Sequence, residues 1–214
     1  MAIDWRNIFL DSIIFDLDGT IWDPIDTVLG AWNSILKREE MNELTREELA
    51  ATMGMQMDEV GMTLFPALSK ERREHLIHEC WTLENAFLKN QGGKLYENVE
   101  NVLEELSQSY KLYIVSNCQD GYIEVFYEYH KLEKYFLDFE NPGRTSLSKG
   151  ENINLVITRN SLSEPVYVGD TEGDLTAAKF AGIPFIYAKY GFGHVSQYDE
   201  VVDSFEDLIR IFKV

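Results

Sequence analysis

Four short groups of residues, far apart in the chain, carry side chains suited to moving a phosphoryl group. They are Asp16-Leu17-Asp18-Gly19-Thr20, Ser116-Asn117, Lys149, and Gly169-Asp170-Thr171-Glu172-Gly173-Asp174. Asp16 and Asp170 are hard oxygen donors of the kind Mg²⁺ takes, with water and substrate phosphate completing the shell. Such a cation also lets clustered carboxylates stay ionised despite their repulsion. Lys149 supplies a point charge for phosphate oxygens. Ser116 supplies a hydroxyl, and the backbone N–H of Asn117 is a further donor. Asp16 can then attack phosphorus, as carboxylates do in aspartyl-phosphate chemistry. Asp18, two residues on, can protonate the leaving oxygen and later activate water. Gly19 permits the sharp turn that aims both carboxylates into one cleft.

These groups need a frame that brings them together. Five short apolar runs read as strands: Ser12 to Phe15, Leu112 to Val115, Phe136 to Phe139, Val166 to Val168 and Phe185 to Tyr187. Their apolar residues are continuous rather than alternating, which predicts strands covered on both faces in a parallel sheet. Helical patterns lie between the later strands. Leu155, Val156 and Leu162 belong to one. Leu175, Ala178 and Ala181 belong to another, closed by Gly182 and Pro184. A last helix is predicted to start at Ser204, capped by that side chain with Asp207 reaching back, and to share Phe205, Leu208, Ile209 and Phe212 on one face. Strands alternating with helices define a doubly wound α/β fold. In such a sheet, ligand groups gather at the carboxyl ends of the strands, where each of the four groups is expected.

One stretch breaks the rhythm. From about Asp23 to Gly93 the patterning is only helical, as in Val28, Ala31, Trp32 and Ile35, then Leu76, Ile77, Cys80, Leu83 and Phe87. Gly92-Gly93 closes it like a hinge. The expected division is a catalytic core of residues 1–22 and 94–214 and a helical cap of 23–93. The 214 residues suffice to bury a core without disulfides, and Cys80 and Cys118 form no framework, which fits a reduced, cytoplasmic setting. The net charge of −18 argues against nucleic acid and anionic membrane as partners. The N-terminal Met1-Ala-Ile-Asp-Trp-Arg lacks the pattern of a secretory signal, and no apolar run reaches the length of a membrane span.

The run Ile14-Phe15-Asp16-Leu17-Asp18-Gly19-Thr20 resembles the first motif of the haloacid dehalogenase-like hydrolase superfamily. Ile114-Val115-Ser116-Asn117 resembles its second motif, Lys149 its third, and Val168-Gly169-Asp170-Thr171-Glu172-Gly173-Asp174 its fourth, all in the family order. The helical insert matches the phosphoglycolate phosphatase-like branch in position and type. The resemblance implies a Rossmann-like sheet of strand order 3-2-1-4-5 with the nucleophile strand central. It implies Asp16 as nucleophile and metal ligand, and Asp18 as general acid and base that also binds Mg²⁺ through its backbone carbonyl. It implies Asp170 as the second carboxylate ligand and Asp174 as the holder of metal-bound water. Ser116, Asn117 and Lys149 would grip the phosphoryl group of a small phosphorylated metabolite. The carboxylate of Asp18 argues against the dehalogenating members, which lack one there and need no metal. Two positions depart from the branch: Glu97-Asn98 stands where Pro-Gly is common, and Gly150 follows Lys149 where Pro is common.

Several residues have plainer readings. Arg144 shares the loop with Lys149 and competes for its assignment. Asp174 can be a first-turn acid at a helix N-terminus. His75 and His78 read as surface residues. Met53, Met55, Met57 and Met62 read as cap packing or as a pocket lining. Trp22 packs the hinge or shields substrate, Cys118 packs, and Tyr190-Gly191-Phe192-Gly193-His194 is a loop near the site. Beside the phosphatase, two other functions fit the same core: a sugar phosphomutase, and a non-catalytic binding protein that kept the fold.

Overall fold

The computed structural model describes residues 9–213, so the expectation about the first six residues and the first eight positions of the core lie outside it. The chain forms, in order, β1 (Ser12–Phe15), β2 (Trp22–Asp23), α1 (Ile25–Arg38), α2 (Arg46–Ala50), α3 (Met57–Leu64), α4 (Lys70–Gln91), β3 (Lys94–Leu95), α5 (Val99–Ser107), β4 (Lys111–Val115), α6 (Tyr122–His130), β5 (Phe136–Glu140), α7 (Pro142–Thr145), α8 (Lys149–Asn160), β6 (Pro165–Gly169), α9 (Glu172–Ala181), β7 (Phe185–Ala188), β8 (Glu200–Val202) and α10 (Asp207–Phe212). The main sheet is parallel, in the order β5-β4-β1-β6-β7-β8. Counting only its own strands in chain order, this is 3-2-1-4-5 with a sixth at the edge. β1, which carries Asp16 at its end, lies between β4 and β6.

The continuous apolar runs follow from burial on both faces. Ile13 and Phe15 enter one core with Leu112, Ile114, Val166 and Val168. Ile14 enters the other with Tyr113, Tyr167, Phe185 and Val156. Helices α8 and α9 pack on each other over the second face. α1 and α4 pack on each other in the insert, and α4 also lies against α6.

Three short strands lack the expected signal. β8 is a three-residue edge, and β2 and β3 form a two-residue antiparallel ladder where the chain leaves and re-enters the sheet region. Lengths of two or three residues are too short to show alternation. Two helix boundaries also differ. Leu162 lies beyond α8, after Ser161 takes a left-handed turn at φ 53°. The last helix begins at Asp207, three residues later than expected. Asp207 does reach back to the Ser204 N–H, at 3.0 Å, but the Ser204 hydroxyl also donates to Asp207 instead of capping the helix. Lys149 stands at the first position of α8 rather than in the preceding loop, which holds the short α7. Ser148 and Glu151 form a capping box around that start.

Both departures near the motifs have local reasons. Asn98 adopts φ 58°, the left-handed conformation that Asn tolerates better than other non-glycine residues, so the turn survives without Gly. At Gly150 a Cβ would fall 2.7 Å from the Phe180 ring on α9, so a larger residue there would have to displace that exposed side chain. Among the described residues, no helix is long and apolar enough to cross a membrane.

Candidate active site

Parallel pairing puts the carboxyl ends of β1, β4 and β6 at one edge, and the chain turns away from each with a polar residue. Asp16 follows β1 and donates its N–H to Val168 O at 2.8 Å. Ser116 follows β4, and Asp170 follows β6. One carboxylate oxygen each from Asp16, Asp170 and Asp174 lie within 4.8 Å of one another, and all three residues are buried. Residues 16 and 170, distant in sequence, are therefore close enough to share an ion. Lys149 Nζ reaches the same cluster from the start of α8, donating to Asp16 Oδ1 at 3.0 Å and to Asp174 Oδ1 at 2.6 Å. The Ser116 hydroxyl also hydrogen-bonds Asp16.

The competing residue in that loop goes elsewhere. The Arg144 guanidinium lies over the Phe139 ring and 3.6 Å from Glu140. Asp174 takes the place read for it at a helix N-terminus and also belongs to the buried carboxylate cluster. Its Oδ2 accepts from the N–H groups of Asp170 and Thr171, at 3.1 and 2.9 Å, and from the Thr171 hydroxyl at 2.7 Å, as the third residue of a capping box on α9. Its other oxygen faces Lys149.

Electrostatics follow from crowding carboxylates out of water. Burial first, and then the Asp174 charge, push Asp16 up to about 6. Asp18 is raised to about 7 by burial and then by the Asp16 charge. Asp170 is raised well above the carboxylate range by burial, Asp174 and Asp16. Burial alone would pull the Lys149 ammonium down, but Asp16 and Asp174 more than offset that and raise it. With one buried ammonium among three buried carboxylates, the cluster is short of positive charge. A divalent cation is the group whose chemistry fits that donor set.

Asp18 is placed differently. Its Oδ1 accepts from Trp22 Nε1 at 2.6 Å and from the Tyr122 hydroxyl at 2.9 Å, and its side chain turns toward the insert. Gly19 makes this divergence possible. Its φ is +81°, and a Cβ there would fall 2.2 Å from Asp170 Oδ2. The Tyr190–His194 loop acquires a function: Phe192 N–H donates to Asp170 Oδ2 at 2.7 Å, and Tyr190 donates to Thr20 O at 2.8 Å. Gly191 is required there because a Cβ would sit 2.4 Å from both Asp170 Cβ and Gly19 O.

The insert closes the other side. Asn117 Nδ2 donates to Gly54 O at 2.9 Å, so the side chain spans to the insert. Met53 and Met55 line the cavity beside Asp18, while Met62 is on the outside; the Met57 side chain lies outside the described set. His75 and His78 are exposed. Cys118 lies by the cleft with its thiol pushed up by burial and then by Asp18, which keeps it protonated and inert. Trp22 is fully buried against Tyr122, Phe126 and His130, so it packs the junction between the insert and α6 and also holds Asp18.

Three contributors escaped the sequence reading. Tyr122 carries no signal within an aromatic helix. Phe192 acts through its backbone. Glu84 is buried on α4 in the row Ile77, Cys80, Leu88, and an acid on an apolar helix face was a readable signal.

This fold and site define a hydrolase of the doubly wound α/β type. The family model described as haloacid dehalogenase-like hydrolase matches residues 13–188, and the chain belongs to that family. It is similar to the phosphoglycolate phosphatase of Vibrio parahaemolyticus, 28% identical over 219 residues covering 94% of this chain and 96% of the relative. It is also similar to that of Vibrio cholerae, 28% identical with 85% of each chain covered. Among solved structures, a predicted phosphoglycolate phosphatase from Haemophilus somnus aligns with TM-score 0.84 at 21% identity, covering 95% of this chain and 98% of that one. A haloacid dehalogenase-like family hydrolase from Streptococcus pneumoniae aligns with TM-score 0.81 at 22% identity, covering 95% and 98%. At these identities the structures speak for the fold.

Proposed function

We propose that this phosphatase of the haloacid dehalogenase-like family hydrolyses a small phosphomonoester through an aspartyl phosphate on Asp16, with Mg²⁺ as cofactor. The observation that carries the reading is the convergence of Asp16, Lys149 and Asp170 from three separate elements. The curated relatives named phosphoglycolate phosphatase support the substrate class of small phosphorylated metabolites.

In the first step an Asp16 oxygen attacks phosphorus in line, and the bond to the leaving oxygen breaks. That oxygen takes the proton of Asp18, whose raised pKa keeps the acid form present near neutrality. In the second step Asp18, now a carboxylate, takes a proton from water as the water attacks phosphorus. The bond to Asp16 breaks, releasing phosphate. Lys149, Ser116 and the Asn117 N–H hold the phosphoryl oxygens, where most of the catalysis of such a transfer lies. Asp16 and Asp170 would hold Mg²⁺ with the Asp18 carbonyl, and Asp174 would orient its water and Lys149. When bound, the cation offsets charge on the phosphoryl oxygens and keeps the carboxylates ionised.

The division into a core of 1–22 and 94–214 and a cap of 23–93 belongs to this proposal, as does a cytoplasmic setting. The cap excludes water from the wrong step and selects the leaving group. A panel of phosphorylated metabolites, read by released phosphate with and without EDTA, tests it. Turnover of at least one small ester that EDTA abolishes is expected. No turnover across the panel with Mg²⁺ present would refute it.

A further inference from the structure

The cavity beside Asp18 holds a carboxyl group that this chemistry does not use. Glu84 of α4 is 4% exposed. Each of its oxygens is held by an uncharged donor: Trp32 Nε1 reaches Oε2 at 2.5 Å, and Gln119 Nε2 reaches Oε1 at 2.6 Å. Among the described residues no lysine, arginine or histidine forms a salt bridge with it. As a carboxylate, Glu84 accepts two hydrogen bonds at each oxygen and so keeps an open acceptor position on both. Burial by itself favours the acid form, and a bound ammonium would favour the carboxylate. Packing alone is a poor reason to bury an acid without a counter-ion, since an apolar residue would cost less.

The cavity encloses about 60 Å³ and runs from Asp18 to Glu84. It meets a wider one of about 400 Å³ along Trp81, Asn117 and Gln119. Among the described residues, no lysine, arginine or histidine lines either of them. A leaving group whose oxygen takes its proton from Asp18 extends into this space. A carboxylate there would lie between two acids with no positive partner. A hydroxyl or an ammonium would instead meet an acceptor.

We propose that the leaving group of the natural substrate donates a hydrogen bond from a hydroxyl or ammonium to Glu84, and that it bears no carboxylate. This rests on the phosphatase reading of Asp16 and narrows it to a substrate class. Glu84 is thereby a specificity-determining residue contributed by α4.

Three esters matched in size test it: 2-aminoethyl phosphate, 2-hydroxyethyl phosphate and 2-phosphoglycolate, with an aryl phosphate as reference, all with Mg²⁺. The expected result is a kcat/KM for the amino or hydroxy ester at least about tenfold above that for phosphoglycolate. The better of the two tells whether the donor is ammonium or hydroxyl. In Glu84→Gln that preference should shrink to within about threefold. Should the variant fail to fold, inhibition of the wild-type protein keeps the test, with ethanolamine or ethylene glycol expected to compete and glycolate not. Phosphoglycolate hydrolysed as well as or better than both others overturns this inference and leaves the phosphatase standing. Inertness of all four esters, the aryl reference included, instead removes the Asp16 reading itself.

Discussion

Trp22 and Tyr122 both load the same oxygen of Asp18, leaving Oδ2 as the one that can carry the acid proton. In the proposed reaction the two carboxylates have different duties set by their surroundings. There Asp16 must be ionised to attack, and Asp18 must be protonated to release the alcohol. With Asp16 raised to about 6 and Asp18 to about 7, kcat/KM should fall as pH drops below the first value and as pH rises above the second. Bound Mg²⁺ moves the acid limb lower, because a cation favours the carboxylate. Asp18→Asn should cost about 10²–10⁴-fold and remove the alkaline limb. A profile flat from about pH 6 to about pH 9 would take Asp18 out of the acid role. At this scale the sequence was most informative where chemistry and backbone coincide, as in Asp16-Leu17-Asp18-Gly19. It was silent where a partner arrives from another element, as Tyr122 and the Phe192 N–H do.

The turn after β1 and the Tyr190–His194 loop after β7 clamp Asp170 from two sides, and the clamp depends on absent side chains. Gly19→Ala would meet two penalties. The left-handed backbone costs about 1–2 kcal/mol for a residue with a Cβ, and the new methyl would collide with Asp170. Gly182→Ala provides the control, since Gly182 has φ +73° but open space around it. Both variants should melt at lower temperature than the parent; Mg²⁺ should raise the Tm of the parent and of Gly182→Ala, but not that of Gly19→Ala. An unchanged Mg²⁺ response in Gly19→Ala would contradict this account of the turn. The main strands were legible because burial on both faces makes their residues uniformly apolar. β2, β3 and β8 were not, because pairing to a neighbour rather than composition makes them strands. The Ser148 and Glu151 spacing of a capping box is a helix-start signal that the sequence reading missed, placing Lys149 in a loop.

Across the whole molecule, the insert meets the sheet region through polar groups as well as apolar ones. Asn117 reaches Gly54, and Gln119 reaches Glu84 and Asn85. Glu84 makes this junction sensitive to pH. Burial raises it from 4.5 to about 8, so the native protein holds a proton that the unfolded chain gives up near 4.5. Its contribution to stability is complete below that lower value and is lost as pH rises toward 8, at up to about 1.4 kcal/mol per pH unit. Glu84→Gln lacks this slope, although it loses one hydrogen bond because an amide cannot accept at both ends. The Tm of the variant relative to the parent should therefore rise between about pH 5 and about pH 8. A constant gap over that range would mean that Glu84 is ionised in the native protein. The helical character of the insert was readable from its periodicity. Its contacts with the sheet region were not, because they join residues more than thirty positions apart with no shared pattern.

The central claim is that phosphorus bonds to Asp16 during turnover. Mass spectrometry of the Asp18→Asn protein, acid-quenched while it turns over an aryl phosphate, whose leaving group needs no protonation, with Mg²⁺, tests it most directly. The account predicts one added phosphoryl group, labile to hydroxylamine, on the peptide that contains Asp16. Turnover with that peptide unmodified, or the label on another residue, would contradict it.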